Sequence, residues 1–506
     1  MKSLLFSVKP LLLVVMSTML NVSVFAPAFA SAVDPNSANS TKPQVEQKLS
    51  QIIIKYHNER SNMLESAASV GGNLTALAQV QAQRLSTLQS VAQTFGTSFV
   101  LKRQIVTGGW VYASDIALKP AEMRALAAKL ASVDSTIEYA EPDYIRRPAY
   151  VPTDPLFSTN QWDMQDSKTQ VGALNLPAAW DITMGQNIVV AVLDTGYRPH
   201  PDILPNLVPA QGGKANQYGY NFISSPAVAR IALPAGASSV RGPDAIDLGD
   251  WVSATDTSCG PSNSSWHGTH VAGIVAAATN GIGITGVAPK AKVLPLRVLG
   301  KCGGYDSDIA DAVAWAAGLH ISGIPDNINR ANVLNLSLGG TGVCTRTSAT
   351  AYQSAIAAGT VIVIAAGNSS IDAKLSSPAN CPGVITVAST SIAGGRASYS
   401  NYGGTVTVAA PGGGFTTAND QITSTLPTGT TVATNDSTYG MYSGTSQATP
   451  HVAGVVALML SVNPRLTPAQ VKSILIKTAR PAPANCPGCG AGIVDAAAAV
   501  KAVTGG

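Results

Sequence analysis

Three short stretches of this 506-residue chain each set a reactive side chain at the boundary of an apolar run. "VVAVLDTG" ends on Asp194, "SSWHGTHVAG" opens on His267, and "YSGTSQATPHVAG" opens on Ser446. Taken singly, Asp194 reads as a turn residue. His267 and Ser446 read as buried polar groups or caps, since a serine at a helix start commonly accepts an orphan backbone N–H. Taken together they offer the parts of an acyl transfer. Such chemistry needs a hydroxyl nucleophile, a base to take its proton, and a carboxylate to fix the tautomer of that base. A helix start also suits the nucleophile, because backbone donors and the helix dipole favour developing negative charge there. His270, one turn beyond His267, is expected to be structural. "HGTH" lacks the glutamate that a zinc-protease HExxH requires.

The elements that must position these groups follow from the apolar pattern. After about residue 150, apolar strand-like runs ("NIVVAVLDTG", "AKVLPLRVLG", "NVLNLSLGG", "TVIVIAAGN", "GVITVAST", "TVTVAAPGG") alternate with helix-like ones ("HGTHVAGIVAAAT", "SDIADAVAWAAG", "SATAYQSAIAAG" and the run after Ser446). Continuous apolar strands alternating with helices imply an α/β fold of three layers, α/β/α, with a mainly parallel central sheet. Sites in such sheets lie beyond the C-terminal strand ends. That edge is where Asp194, Ser337 and Asn368 fall.

Residues 31–149 differ in composition. They mix Lys and Glu, whereas no Glu follows Glu141. A helix is expected over "VEQKLSQIIIKYHNER", strands over "SFVLKRQIVTGGWVYAS" and a second helix over "KPAEMRALAAKLASV". "STIEYAEPDYIRRPAYVPTDP" reads as an extended, proline-punctuated linker. The segment is a small α+β domain with a polar leading tail.

Residues 1–30 have the form of a cleaved export signal: Lys2 and Lys9, an apolar stretch, then "AFA" at Ala28–Ala30. The mature protein, 150–506, is expected to be secreted to the medium or periplasm, without stable membrane association. A net charge of +4 gives no nucleic-acid signature. With 45% hydrophobic and only 12% charged residues, disorder and coiled coil are excluded. Six cysteines (Cys259, Cys302, Cys344, Cys381, Cys486 and Cys489) in an exported chain read as disulfides. A zinc site is disfavoured, because only one CxxC exists and no His follows His451. Among the pairings open to them, that of sequence neighbours is the expectation.

In the three motifs and their Asp, His, Ser order, residues 150–500 closely resemble the subtilisin family of serine proteases. The resemblance makes Asp194 the carboxylate, His267 the base and Ser446 the nucleophile. It makes Asn368 of "AAGN" the side-chain oxyanion donor, beside the Ser446 N–H. Ser337, Leu338 and Gly339 of "SLGG" would form the strand to which extended peptide adds. Ala365, Ala366 and Gly367 would line an adjacent pocket, with Ser376 near its base. No acid stands among them, so small or apolar residues are expected before the scissile bond. Gln447 departs from the methionine often found after the nucleophile, and removes a thioether open to oxidation. A thermitase-like start, "YVPTDPLF", implies structural calcium at Asp154, Asp202, Asn280, Ile282 and Ile284, a mixture of carboxylate, amide and carbonyl oxygens that suits a hard cation. "PDAIDLGDW" suggests a second calcium at Asp244, Asp247 and Asp250. Residues 31–149 resemble the family's pro-domain, which assists folding and blocks the cleft in cis. Self-cleavage is expected at Ala149–Tyr150, with cutting at Arg146–Arg147 by another protease as the rival. The whole reads as a monomeric zymogen acting on proteins and peptides, with no further C-terminal domain. An inactive binding protein of the same fold would lack triad residues, and an α/β-hydrolase esterase would need GxSxG and the order Ser, Asp, His.

Overall fold

The computed structural model describes residues 48–57, 74–145, 150–434 and 436–504. The expected export signal, the polar tail after it and the Ala149 side of the expected cleavage bond lie outside these residues. The chain divides into two compact units between Arg147 and Pro148.

In the first unit, strands β1 (Leu49–Tyr56), β2 (Phe99–Gln104), β3 (Trp110–Leu118) and β4 (Ile137–Pro142) form an antiparallel sheet in the order β2-β3-β1-β4. Helices Leu74–Ala92 and Pro120–Val133 contribute to its core. The helix expected over "VEQKLSQIIIKYHNER" is wrong where it can be checked, because β1 occupies its middle. Ile52, Ile54 and Tyr56 are buried while Ile53 and Lys55 between them are not. That period of two, with three successive β-branched isoleucines, is strand chemistry. Part of the expected linker is also a strand: β4 pairs along β1 from Ile52↔Pro142 to Tyr56↔Ile137. Leu74–Ala92 forms a helix not expected from its sequence, in which Gln, Ser and Thr dilute the apolar stripe.

In the second unit the strands are β5 (Val189–Asp194), β6 (Tyr220–Asn221), β7 (Gly242–Pro243), β8 (Lys292–Arg297), β9 (Val333–Leu336), β10 (Gly340–Thr341), β11 (Val361–Ala365), β12 (Ser376–Ser377), β13 (Ile385–Thr390), β14 (Val408–Pro411), β15 (Ile422–Pro427) and β16 (Ser437–Tyr442). The main sheet runs β14-β13-β11-β9-β5-β8-β6-β7 and is parallel except at its β6–β7 edge. Alternate residues of each strand feed opposite cores. Val190, Val192, Val333, Val361 and Val363 pack with helices His267–Ala276 and Thr445–Val462. Ala191, Leu193, Leu334, Leu336 and Ile364 pack on the other side with helices Asp306–Ala316 and Arg346–Ala357. Both faces of the sheet are therefore covered, which explains why these strands are apolar throughout. The strand order reverses about β5, flanked by β8 and β9, so a crevice opens beyond the ends of β5 and β9.

Disulfides join Cys259 to Cys302, Cys344 to Cys381 and Cys486 to Cys489. No helix among the described residues is long and apolar enough to cross a membrane.

Candidate active site

Asp194 is the last residue of β5 and is wholly buried. The Thr195 N–H donates to its Oδ1 at 2.7 Å. His267 Nδ1 lies 2.9 Å from both carboxylate oxygens. Gly268 makes that contact possible: a Cβ there would stand 2.2 Å from the Gly196 carbonyl, so only glycine lets this helix start so close to the β5 turn. Its N–H donates to Thr195 Oγ1 at 3.0 Å. Burial opposes a charge on His267, but the Asp194 carboxylate, with Asp250 and Asp247 adding to it, outweighs it, and the imidazole is held above the ordinary histidine range.

Ser446 is the second residue of its helix. Pro450, inside that helix, has no N–H to give the carbonyl four residues back. That carbonyl belongs to Ser446, and Ser337 Oγ donates to it instead at 2.7 Å. Reciprocally, Ser446 Oγ donates to the Ser337 carbonyl at 3.2 Å. The strand end after β9 is thereby fastened to the turn that carries Ser446. Among the described hydrogen bonds none joins Ser446 Oγ to His267; in free enzymes catalytic hydrogen bonds are often long and tighten with substrate. Asn368 Oδ1 accepts from the Thr445 N–H at 2.9 Å and from its hydroxyl at 2.8 Å. This commits the oxygen and leaves the amide Nδ2 to donate beside Ser446.

Ser446 and Asn368 line one cavity of about 270 Å³ with Ser337, Leu338, Gly339 and Thr445. Its far wall is Ala365, Gly367, Ser376 and Asn401, with no charged residue. Gly367 has φ 106°, and a Cβ would lie 2.4 Å from Asn401 Nδ2, so a side chain there would displace the wall. A larger cavity of about 680 Å³ shares Leu338–Thr341 and adds Leu299, Ile309 and Tyr352. An extended peptide along 338–341 would pass both.

Two expectations need correction. Ala366 does not line the pocket; it is fully buried behind it, in a cluster with Ala373, Ala388 and Cys489. It sits just past the end of β11, where the chain turns at Gly367. Asp244, Asp247 and Asp250 do not converge as a metal site, and no group of three acidic, His or Cys ligands occurs among the described residues. Each carboxylate serves a different local donor: Tyr197 OH for Asp244, the Gly249 N–H for Asp247, and Ser265 for Asp250. His270, by contrast, is buried as a structural residue would be. It stacks on Tyr442, ring centroids 4.6 Å apart, and burial pushes it down to about 3.

Asp154, Asp202, Asn280 and Ile284 of the first set lie together, joined by hydrogen bonds. Asp154 Oδ1 accepts from the Asn280 N–H, and Asp202 accepts from Asn280 Nδ2, the Ile284 N–H and Tyr439 OH. Asp154 Oδ2 is buried without a hydrogen-bond partner. Burial, aided by the charge of Asp154, pushes Asp202 up to about 6. Two desolvated carboxylates with an orphaned oxygen fit a hard cation. Sequence reasoning missed Thr445 and Asn401, which orient Asn368 and the pocket wall. It also missed the buried contact of His451 Nε2 with Asp163 at 2.8 Å.

A buried carboxylate against an imidazole, a serine at a helix start and an amide donor beside it lie at the switch point of a parallel sheet, an arrangement suited to acyl transfer by a serine. Residues 185–495 match the profile described as the Subtilase family, and the chain belongs to that family. It is a subtilisin-like serine peptidase. An extracellular protease of Xanthomonas campestris pv. campestris is 41% identical over 495 residues, covering 97% of this chain and 78% of that protein. Thermitase of Thermoactinomyces vulgaris is 36% identical over 315 residues, 62% of this chain and 86% of its own length. Among solved structures, a protease of Pseudoalteromonas arctica is 50% identical with a TM-score of 0.64, covering 70% of this chain and all of its own.

Proposed function

We propose that the chain is a secreted serine endopeptidase, made as a zymogen, that cleaves peptide bonds through Asp194, His267 and Ser446. The observation that carries this reading is His267 Nδ1 at 2.9 Å from both oxygens of buried Asp194. Asp194 holds the imidazole with its proton on Nδ1, which leaves Nε2 to take the Ser446 proton. Ser446 Oγ attacks the scissile carbonyl, and the oxyanion is met by Asn368 Nδ2 and the Ser446 N–H. Collapse expels the amine, which receives the proton from His267. Water then cleaves the acyl-enzyme by the same base. The uncharged cavity wall supports a preference for small or apolar residues before the scissile bond.

Asp154 and Asp202, with oxygens of Asn280, Ile282 and Ile284, would hold calcium as a structural ion that offsets their mutual repulsion. The relatives named as extracellular proteases support secretion. The first unit is read as the pro-domain acting in cis.

Ser446→Ala tests the reading. The variant should fold, resist labelling by phenylmethylsulfonyl fluoride and show no measurable peptide hydrolysis. Near-wild-type turnover would overturn the triad.

A further inference from the structure

The turn that delivers His267 is strained. Trp266, immediately before it, has φ 48°, in the left-handed region where a bulky side chain is an outlier. It is also the N-cap of the helix His267–Ala276 and provides no side-chain cap. Such a turn persists only where its surroundings over-determine it. Part of that constraint is a row of contacts to the loop after β15: the Ser264 N–H and Oγ donate to the Thr430 and Thr431 carbonyls, and Trp266 Nε1 donates to the Gly429 carbonyl.

The remaining constraint converges on Ser265. Its N–H and its Oγ–H both donate to the Asp250 carboxylate, at 2.6 and 2.8 Å. The same Oγ accepts from the His267 N–H at 3.3 Å, one of the orphan donors of the helix start. The Ser265 carbonyl accepts from Tyr442 OH at 2.7 Å, on the strand that leads into Gly444-Thr445-Ser446. One carboxylate therefore orients the hydroxyl that caps the catalytic helix. The same serine ties that helix to the nucleophile segment.

We propose that Asp250 is a positioning residue for the base His267, acting through Ser265. This rests on the triad reading above. Asp250 also contributes charge. The groups that act on His267 are Asp194 from β5, Asp250 and Asp247 from the loop after β7, and His270 from its own helix. Arg297 of β8 interacts with both loop aspartates and partly offsets their charge. An anion lost from this set lowers the affinity of His267 for its proton, whereas a lost hydrogen bond alone does not.

The test is the pH profile of kcat/KM, per titrated active site, on enzyme matured from the full chain with a peptide substrate. Asp250→Asn should lower the plateau by about tenfold to a hundredfold, the scale of a misplaced catalytic group. It should also move the acid limb to lower pH. Ser265→Ala should lower the plateau comparably and leave the limb in place. Asp250→Glu, which retains the charge on a longer arm, should lower the plateau with the limb unmoved, and serves if the asparagine variant fails to mature. An unmoved limb in Asp250→Asn, or a limb moved down in Asp250→Glu, would overturn the charge role. A wild-type plateau in Ser265→Ala would overturn the relay. Activity in Ser446→Ala would instead overturn the triad reading on which the proposal stands.

Discussion

His267 lies between opposing influences: desolvation favours the neutral ring and the Asp194 carboxylate favours the imidazolium, with the net direction upward. A base must be neutral to act, so kcat/KM should fall as pH drops through a value above the ordinary histidine pKa of about 6.5. The stability contribution has the opposite sense. The folded state prefers the charged ring, so the contribution is full below the unfolded pKa and is lost as pH rises through the folded one. A pH–rate profile in low salt checks the first statement; an acid limb below the ordinary value would mean that burial, not Asp194, dominates the site.

At the scale of elements, the nucleophile helix is anchored at several points along its first turns. Ser337 satisfies the carbonyl that Pro450 leaves free, and Asn368 holds Thr445. His451 contacts Asp163 at 2.8 Å, with both side chains fully buried, and its Nδ1 meets the Gln447 carbonyl. Removing one partner of such a pair strands the other in a dry interior, at a cost of about 3–5 kcal/mol. Asp163→Ala should therefore lower the unfolding free energy by that order and move the denaturation midpoint down accordingly, while an exposed change such as Lys168→Ala should move it little. An unchanged midpoint would show that the pair is not needed to seat the helix. The loop Asn280–Ile284 makes a parallel prediction for the metal. A cation that binds only the folded protein stabilises it by about 2.7 kcal/mol at a hundredfold excess over its Kd. Chelation should lower Tm and speed autolysis, and Asp202→Asn should abolish the difference between chelated and calcium-loaded protein. A Tm indifferent to chelator, with no calcium found by elemental analysis, would remove the site.

For the whole molecule, the prediction concerns maturation. Prolines at 148 and 152 bias the residues before them toward extended backbone, the form a peptide takes along a sheet edge. Self-cleavage between Ala149 and Tyr150 puts a small residue at the uncharged pocket. The Ser446→Ala chain should keep residues 31–149 attached, and the active chain should begin at Tyr150. N-terminal sequencing of both decides it: an inactive variant that still begins at Tyr150 assigns the cut to another protease.

The sequence by itself determined the parallel sheet and the motif residues at its C-terminal edge; the pairing of the cysteines it left open, and the fold decided it. The sheet and the motifs are local features: apolar strand runs report burial on both faces, and each motif holds its own turn, glycine and helix start. Other features depended on partners distant in the chain. "QIIIKY" is a strand because β3 and β4 pair with it, and its neighbours in sequence mimic a helix. Ala366 is buried in the core while Ala365 and Gly367 line the cavity, a division decided by how the chain leaves β11 and packs against Ala373 and Ala388. Asp250 resembled a calcium ligand because aspartates cluster around it, yet tertiary structure spends its carboxylate on Ser265. Composition shows which oxygens a loop owns. Only packing decides which donors reach them first, because a hydrogen bond's worth depends on ångström-scale geometry that no local pattern encodes.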